Sequence, residues 1–78
     1  MKILVLHGVN LNMFGKRDPK HYGIETLDDI EKQMLVLGKE LNAVVESFQS
    51  NHEGEMCSRI HAAHTDATSA VVINAGAW

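Results

Sequence analysis

Several things are scarce in this chain of 78 residues, and each scarcity narrows the possibilities. There is one cysteine, Cys57, so no internal disulfide can form and the chain suits a reducing compartment. There is one proline, and no apolar run approaches the roughly 20 residues that a membrane-spanning helix needs. The apolar run Ile3–Leu6 behind Lys2 is too short for a signal peptide, and no small-residue cleavage site follows it. These features predict a cytoplasmic protein. Net charge is −3 with only seven Lys and Arg, scattered along the chain, which argues against a nucleic-acid surface built to neutralise phosphates. An anionic ligand would therefore depend on particular cationic side chains rather than on the field of the whole molecule.

What is present alternates. Ile3–Leu6 is an unbroken apolar run ending at Gly8, too short for a helix and suited to a strand covered on both faces. Residues 7–23 have no period and carry three glycines and Pro19, but Leu11, Met13 and Phe14 argue against full disorder. A connection this long is more often functional than incidental. A helix follows. Thr26 is the predicted N-cap, Asp28 and Asp29 complement the helix dipole, and Leu27, Ile30, Met34, Leu37 and Leu41 mark an apolar face expected to be core. Gly38 weakens that helix, and Asn42 is the predicted stop.

Ala43–Phe48 reads as a second strand. Ser50 and Glu53 have capping-box spacing ahead of a second helix with the stripe Met56, Ile60 and Ala63. Cys57 is expected to pack as a small buried residue. His61 and His64, three apart on that helix, lack an evident third ligand, so no metal site is expected. Ala70–Ile73 is a third buried strand, followed by Asn74–Trp78.

The order strand, helix, strand, helix, strand predicts an α/β domain with right-handed crossovers and a parallel sheet. No third helix covers the last strand, and an exposed apolar edge of that kind is usually covered. The sequence is accordingly expected to be one part of a longer domain. In open parallel sheets ligands bind beyond the carboxyl ends of the strands, where strand order reverses. With an order beginning 2-1-3, that point lies between the first and third strands. It then gathers His7-Gly8-Val9-Asn10 and Asn74-Ala75-Gly76, with the loop bearing Arg17 and Tyr22 placed to fold over them. Walker A and G-x-G-x-x-G patterns are both missing, so nucleotide binding has little support.

These residues also form recognisable blocks. Ile3-Leu4-Val5-Leu6-His7-Gly8-Val9-Asn10-Leu11-Asn12-Met13-Phe14-Gly15-Lys16-Arg17-Asp18-Pro19, with Tyr22-Gly23 and Thr26-Leu27, resembles the opening signature of type II 3-dehydroquinate dehydratases. Phe48–Glu55 is similar to the exit of their second strand, and Ile73–Ala77 to that of their third. The resemblance implies residues 1–78 to be the N-terminal half of a single flavodoxin-like dehydratase domain. It further implies a lyase of the shikimate pathway, which eliminates water from 3-dehydroquinate in the anti sense through an enolate. Members act on this small molecule without metal or cofactor and assemble as dodecamers built from trimers.

By position, Tyr22 would be the base that removes the C2 proton, Arg17 would stabilise the tyrosinate, and Asn10 would orient the base and the enolate. Asn74 would bind substrate, with Gly76 allowing close backbone approach. A free tyrosine has a pKa near about 10, and a guanidinium within roughly 4–6 Å lowers an acid by about 1–3 units, so this pairing suits a phenolate base. His7, Val9 and Ala75 depart from the usual Asn, Pro and Pro. Val9 gives up a fixed φ that would tighten the first turn, and the charge of His7 would vary near neutral pH. The family's His-Thr-Ser segment, general-acid histidine and carboxylate-binding arginine have no counterpart through Trp78, so residues 1–78 alone are expected to be inactive. A non-catalytic relic or small-molecule binding module is the alternative, and a flavin-binding protein a more distant one.

Overall fold

A computed structural model describes residues 1–16 and 23–78. Arg17 and Tyr22 lie outside the described residues. The elements are β1 (Lys2–Val9), a 3-10 helix (Leu11–Met13), α1 (Leu27–Glu40), β2 (Val44–Gln49), α2 (Glu53–Ala63) and β3 (Ala70–Gly76). The three strands form one parallel sheet, as the alternation predicts, in the order β2-β1-β3 expected of a flavodoxin-like fold.

Because side chains alternate across a strand, the two faces of the sheet can be read from the register. Leu4 and Leu6 are fully buried and join Met56 in a small core, with Phe48 and Ala63 packed against it beneath α2. Ile3, Val5 and His7 point to the opposite face, toward α1. His7 stands in register with Gln49 on one side and Asn74 on the other, which places a polar row at the carboxyl end of a mainly apolar face.

Helix α1 begins as its sequence dictates. The Thr26 hydroxyl accepts the Asp29 N–H at 3.1 Å, and the Asp29 carboxylate accepts the Thr26 N–H at 3.0 Å. This capping box holds the Asp29 carboxyl below its usual range. The helix ends where Asn42 turns left-handed at φ 57°. Gly38 has a packing reason: a Cβ there would meet Val45 Cγ2 at 2.8 Å, so helix and strand approach through it.

Five expectations need correction. β1 and β3 both run further toward the carboxyl end than their apolar runs, because backbone pairing continues to Val9 and Gly76 whatever the side chains. Ser50 does not cap α2. Its hydroxyl accepts the His52 N–H at 2.9 Å within the turn, and His52 holds the N-cap position without a side-chain bond. The α1 stripe is only partly core, since Leu37 and Leu41 remain 53% and 67% exposed. These two line an open depression of about 170 Å³ with Ile3, Val45 and Val72. Cys57 is exposed on α2. Finally, β3 is not buried: Val71, Val72 and Ile73 are each about half exposed, because among the described residues β3 pairs only with β1 and stands at the sheet edge.

The opposite end of the sheet is pinned by charge. Lys2 Nζ lies 3.1 Å from Glu46 and 3.3 Å from Asp66, and Arg59 lies 3.0 Å and 3.1 Å from the same two carboxylates. The Thr68 hydroxyl donates to Asp66 and, with help from Lys2, holds that carboxyl down to about 2. Among the described residues, no helix is long and apolar enough to cross a membrane.

Candidate active site

The strand exits converge because β1 is central. Gly8 marks a close approach of β1 to β3: a Cβ at that position would sit 2.1 Å from the Ala75 carbonyl oxygen, so no side chain fits. Gly76 answers from β3. It has φ +65° and a would-be Cβ 2.8 Å from the Val9 carbonyl, so a side chain is excluded both by conformation and by space. Val9 is the last residue of β1, in register with Gly76. Strand pairing therefore ties its backbone to β3.

Beyond Val9 the chain turns at Asn10, which is left-handed at φ 64° and ψ 2°. Asparagine tolerates this conformation better than other chiral residues. The Asn10 backbone N–H donates to Asn51 Oδ1 at 2.8 Å. Gln49 Nε2 donates to the same oxygen at 3.0 Å and to the Gly8 carbonyl at 3.2 Å. Thus the exit of β2 braces the exit of β1. On the other side, Asn74 Oδ1 accepts the Gly76 N–H at 3.2 Å, fixing the carboxamide against its own strand end.

Of the sequence-predicted site residues, Asn10, Asn74 and Gly76 therefore come together at the carboxyl ends of β1 and β3. Sequence reasoning confined the crevice to those two strands and missed Gln49 and Asn51, the braces from β2. The signal was in the Phe48–Glu55 block, whose polar side chains read as turn formers.

His7 also differs from expectation. It is 4% exposed, and burial pushes its imidazole below the usual histidine range, partly opposed by the Glu31 carboxylate. The ring is thus uncharged at neutral pH, where a variable charge was expected. No group of three or more metal-ligating side chains occurs among the described residues. His61 and His64 lie exposed on and just after α2.

The family model of class II dehydroquinases matches residues 1–78. The chain belongs to the class II dehydroquinase family. It is 67% identical over 78 residues to the 3-dehydroquinate dehydratase of Leptothrix cholodnii, covering 100% of this chain and 52% of that protein. Against the 3-dehydroquinate dehydratase of Syntrophotalea carbinolica it is 65% identical over 77 residues, covering 99% of this chain and 52% of the other. Among solved structures, the type II dehydroquinase of Butyrivibrio crossotus superimposes with a TM-score of 0.94 at 42% identity, covering 99% of this chain and 53% of that one. The chain spans about half the length of the curated relatives it matches. In this member of the dehydroquinase family, the braced strand exits lie at the carboxyl end of the sheet, where the topology predicts a crevice.

Proposed function

We propose that residues 1–78 form the N-terminal half of one flavodoxin-like domain in a 3-dehydroquinate dehydratase, a cofactor-free hydro-lyase of the cytoplasm acting on a small molecule. The observation that carries this reading is the meeting of Asn10, Asn74 and Gly76 at the strand exits of a chain in the dehydroquinase family. Curated relatives at 67% and 65% identity carry the dehydratase name. The complete protein is expected to assemble as the dodecamer of trimers implied by the resemblance.

In this reading Tyr22, ionised beside Arg17, takes the C2 proton of 3-dehydroquinate and leaves an enolate. To bring a phenol from pKa about 10 to neutrality requires about 4 kcal/mol of preferential stabilisation of the phenolate. A guanidinium serves better than an ammonium because it does not itself lose the proton. Asn10 orients the base and the enolate, and Asn74 holds the substrate. Asn10 has a fixed backbone because Asn51 holds its N–H. The Asn74 carboxamide is aimed by its bond to Gly76. Preorganised dipoles of this kind need no rearrangement as charge develops on the enolate oxygen. Loss of the hydroxide then requires a proton donor, which the family pattern places after Trp78.

The test compares residues 1–78 with a complete protein containing them, following the rise in ultraviolet absorbance of the conjugated enone. Turnover by the complete protein and none by residues 1–78 is the expected result. A complete protein that binds the substrate without converting it would favour the binding-module alternative.

A further inference from the structure

One buried polar group has no place in the scheme above. His7 Nε2 is fully enclosed and has no hydrogen-bond partner among the described residues. An enclosed, unpaired nitrogen destabilises the fold, so its retention calls for a partner that is engaged in function. The in-register neighbours on the α1 face are Gln49 and Asn74, and the Glu31 carboxylate that acts on the ring from α1 has no hydrogen to donate to a neutral ring nitrogen. The Gln49 nitrogen is already given to the Gly8 carbonyl and to Asn51. Asn74 accepts through Oδ1, and its nitrogen makes no bond among the described residues. Parallel strands lie about 4.8 Å apart, within reach of an imidazole and a carboxamide on the same face.

We propose that His7 is a positioning residue for substrate binding: its unpaired ring nitrogen accepts a hydrogen bond from the Asn74 carboxamide across the β1–β3 step. With Nδ1 protonated, Nε2 is an acceptor and matches the Asn74 N–H. The amide is then held at both ends, by the Gly76 N–H at its oxygen and by His7 at its nitrogen. One N–H and one lone pair remain to read a hydroxyl or carboxylate of a hydroxylated cyclic acid. The uncharged state of the buried ring suits this role, since an imidazolium has no acceptor.

This inference rests on the assignment of Asn74 to substrate binding, and the experiment separates the two. In the complete enzyme, His7→Leu and His7→Phe remove the acceptor, whereas His7→Asn keeps one. Loss of one hydrogen bond predicts that KM for 3-dehydroquinate rises about tenfold in the Leu and Phe variants, with kcat changed far less. The Asn variant should stay within about threefold of the parent. Either the Leu or the Phe variant suffices if the other does not fold.

In an Asn74→Ala background, His7→Leu should have no further effect on KM, while in a Gln49→Leu background its effect should be undiminished. An unchanged KM in the folded Leu or Phe variant, or full additivity with Asn74→Ala, would overturn the role of His7. An Asn74→Ala enzyme with the parent's KM would instead overturn the assignment of Asn74. A complete parent enzyme without turnover would remove the functional reading, and this one with it.

Discussion

Asn51 on the exit of β2 accepts the backbone N–H of Asn10 on the exit of β1 at 2.8 Å, across 41 residues of sequence. The same oxygen also accepts from Gln49. One side-chain carbonyl therefore fixes both the left-handed turn at Asn10 and the neighbouring glutamine. Asn51→Ala should lower stability by about 1 kcal/mol, the value of a typical hydrogen bond. It should reduce kcat of the complete enzyme more than Asn12→Ala, in which the exposed neighbour of the turn is altered. Urea midpoints and steady-state rates of the two variants check this together.

The contact of Gly8 with Ala75 predicts intolerance of the smallest substitution. Gly8→Ala would force a methyl to within 2.1 Å of a carbonyl oxygen and push β1 and β3 apart at their exits. The expected cost is roughly 2–3 kcal/mol, typical of overpacking in a close-packed interior. A shift in the denaturation midpoint with an unchanged m-value would report it.

At the other end of the sheet, Asp66 carries a pH dependence. Its folded carboxyl titrates at about 2, below the ordinary 3.8, chiefly because Thr68 donates to it and Lys2 lies beside it. A depressed carboxyl stabilises the fold when ionised. Its contribution is present in full above the unfolded value and is lost as pH falls from about 4 toward 2. Asp66→Asn should flatten the stability profile across that window and leave the slope above pH 5 unchanged, as read by urea midpoints at a series of pH values.

For Tyr22 the expectation is catalytic. Tyr22→Phe in the complete enzyme removes the proposed base and should lower kcat by about a thousandfold or more, with substrate affinity largely kept. Near-parent turnover would refute Tyr22 as the base. Measuring affinity by calorimetry beside the rates distinguishes loss of chemistry from loss of binding.

Local chemistry was legible in the sequence at the ends of α1. Thr26 caps the helix, as its place before the apolar stripe predicts, though the same spacing at Ser50 and Glu53 closes no capping box, and Asn42 ends α1 because a short amide tolerates the left-handed turn. The apolar runs Ile3–Leu6 and Ala70–Ile73 marked strands, the alternation of elements implied a parallel sheet, and a flavodoxin-like order put β1 in the middle. From that order alone, Asn10 and Asn74 were expected at one crevice.

Tertiary structure alone decided what depends on contacts distant in sequence. The bond from Asn10 to Asn51, the apposition of Gly8 with Ala75, and the enclosure of His7 each join residues more than 40 positions apart or bury one beneath a separate helix. Burial likewise could not be read from periodicity, since Leu37 and Leu41 keep the helical spacing of core residues yet remain more than half exposed. Periodicity specifies which face of an element is apolar. What covers that face is determined by the packing of the other elements, which local sequence does not encode.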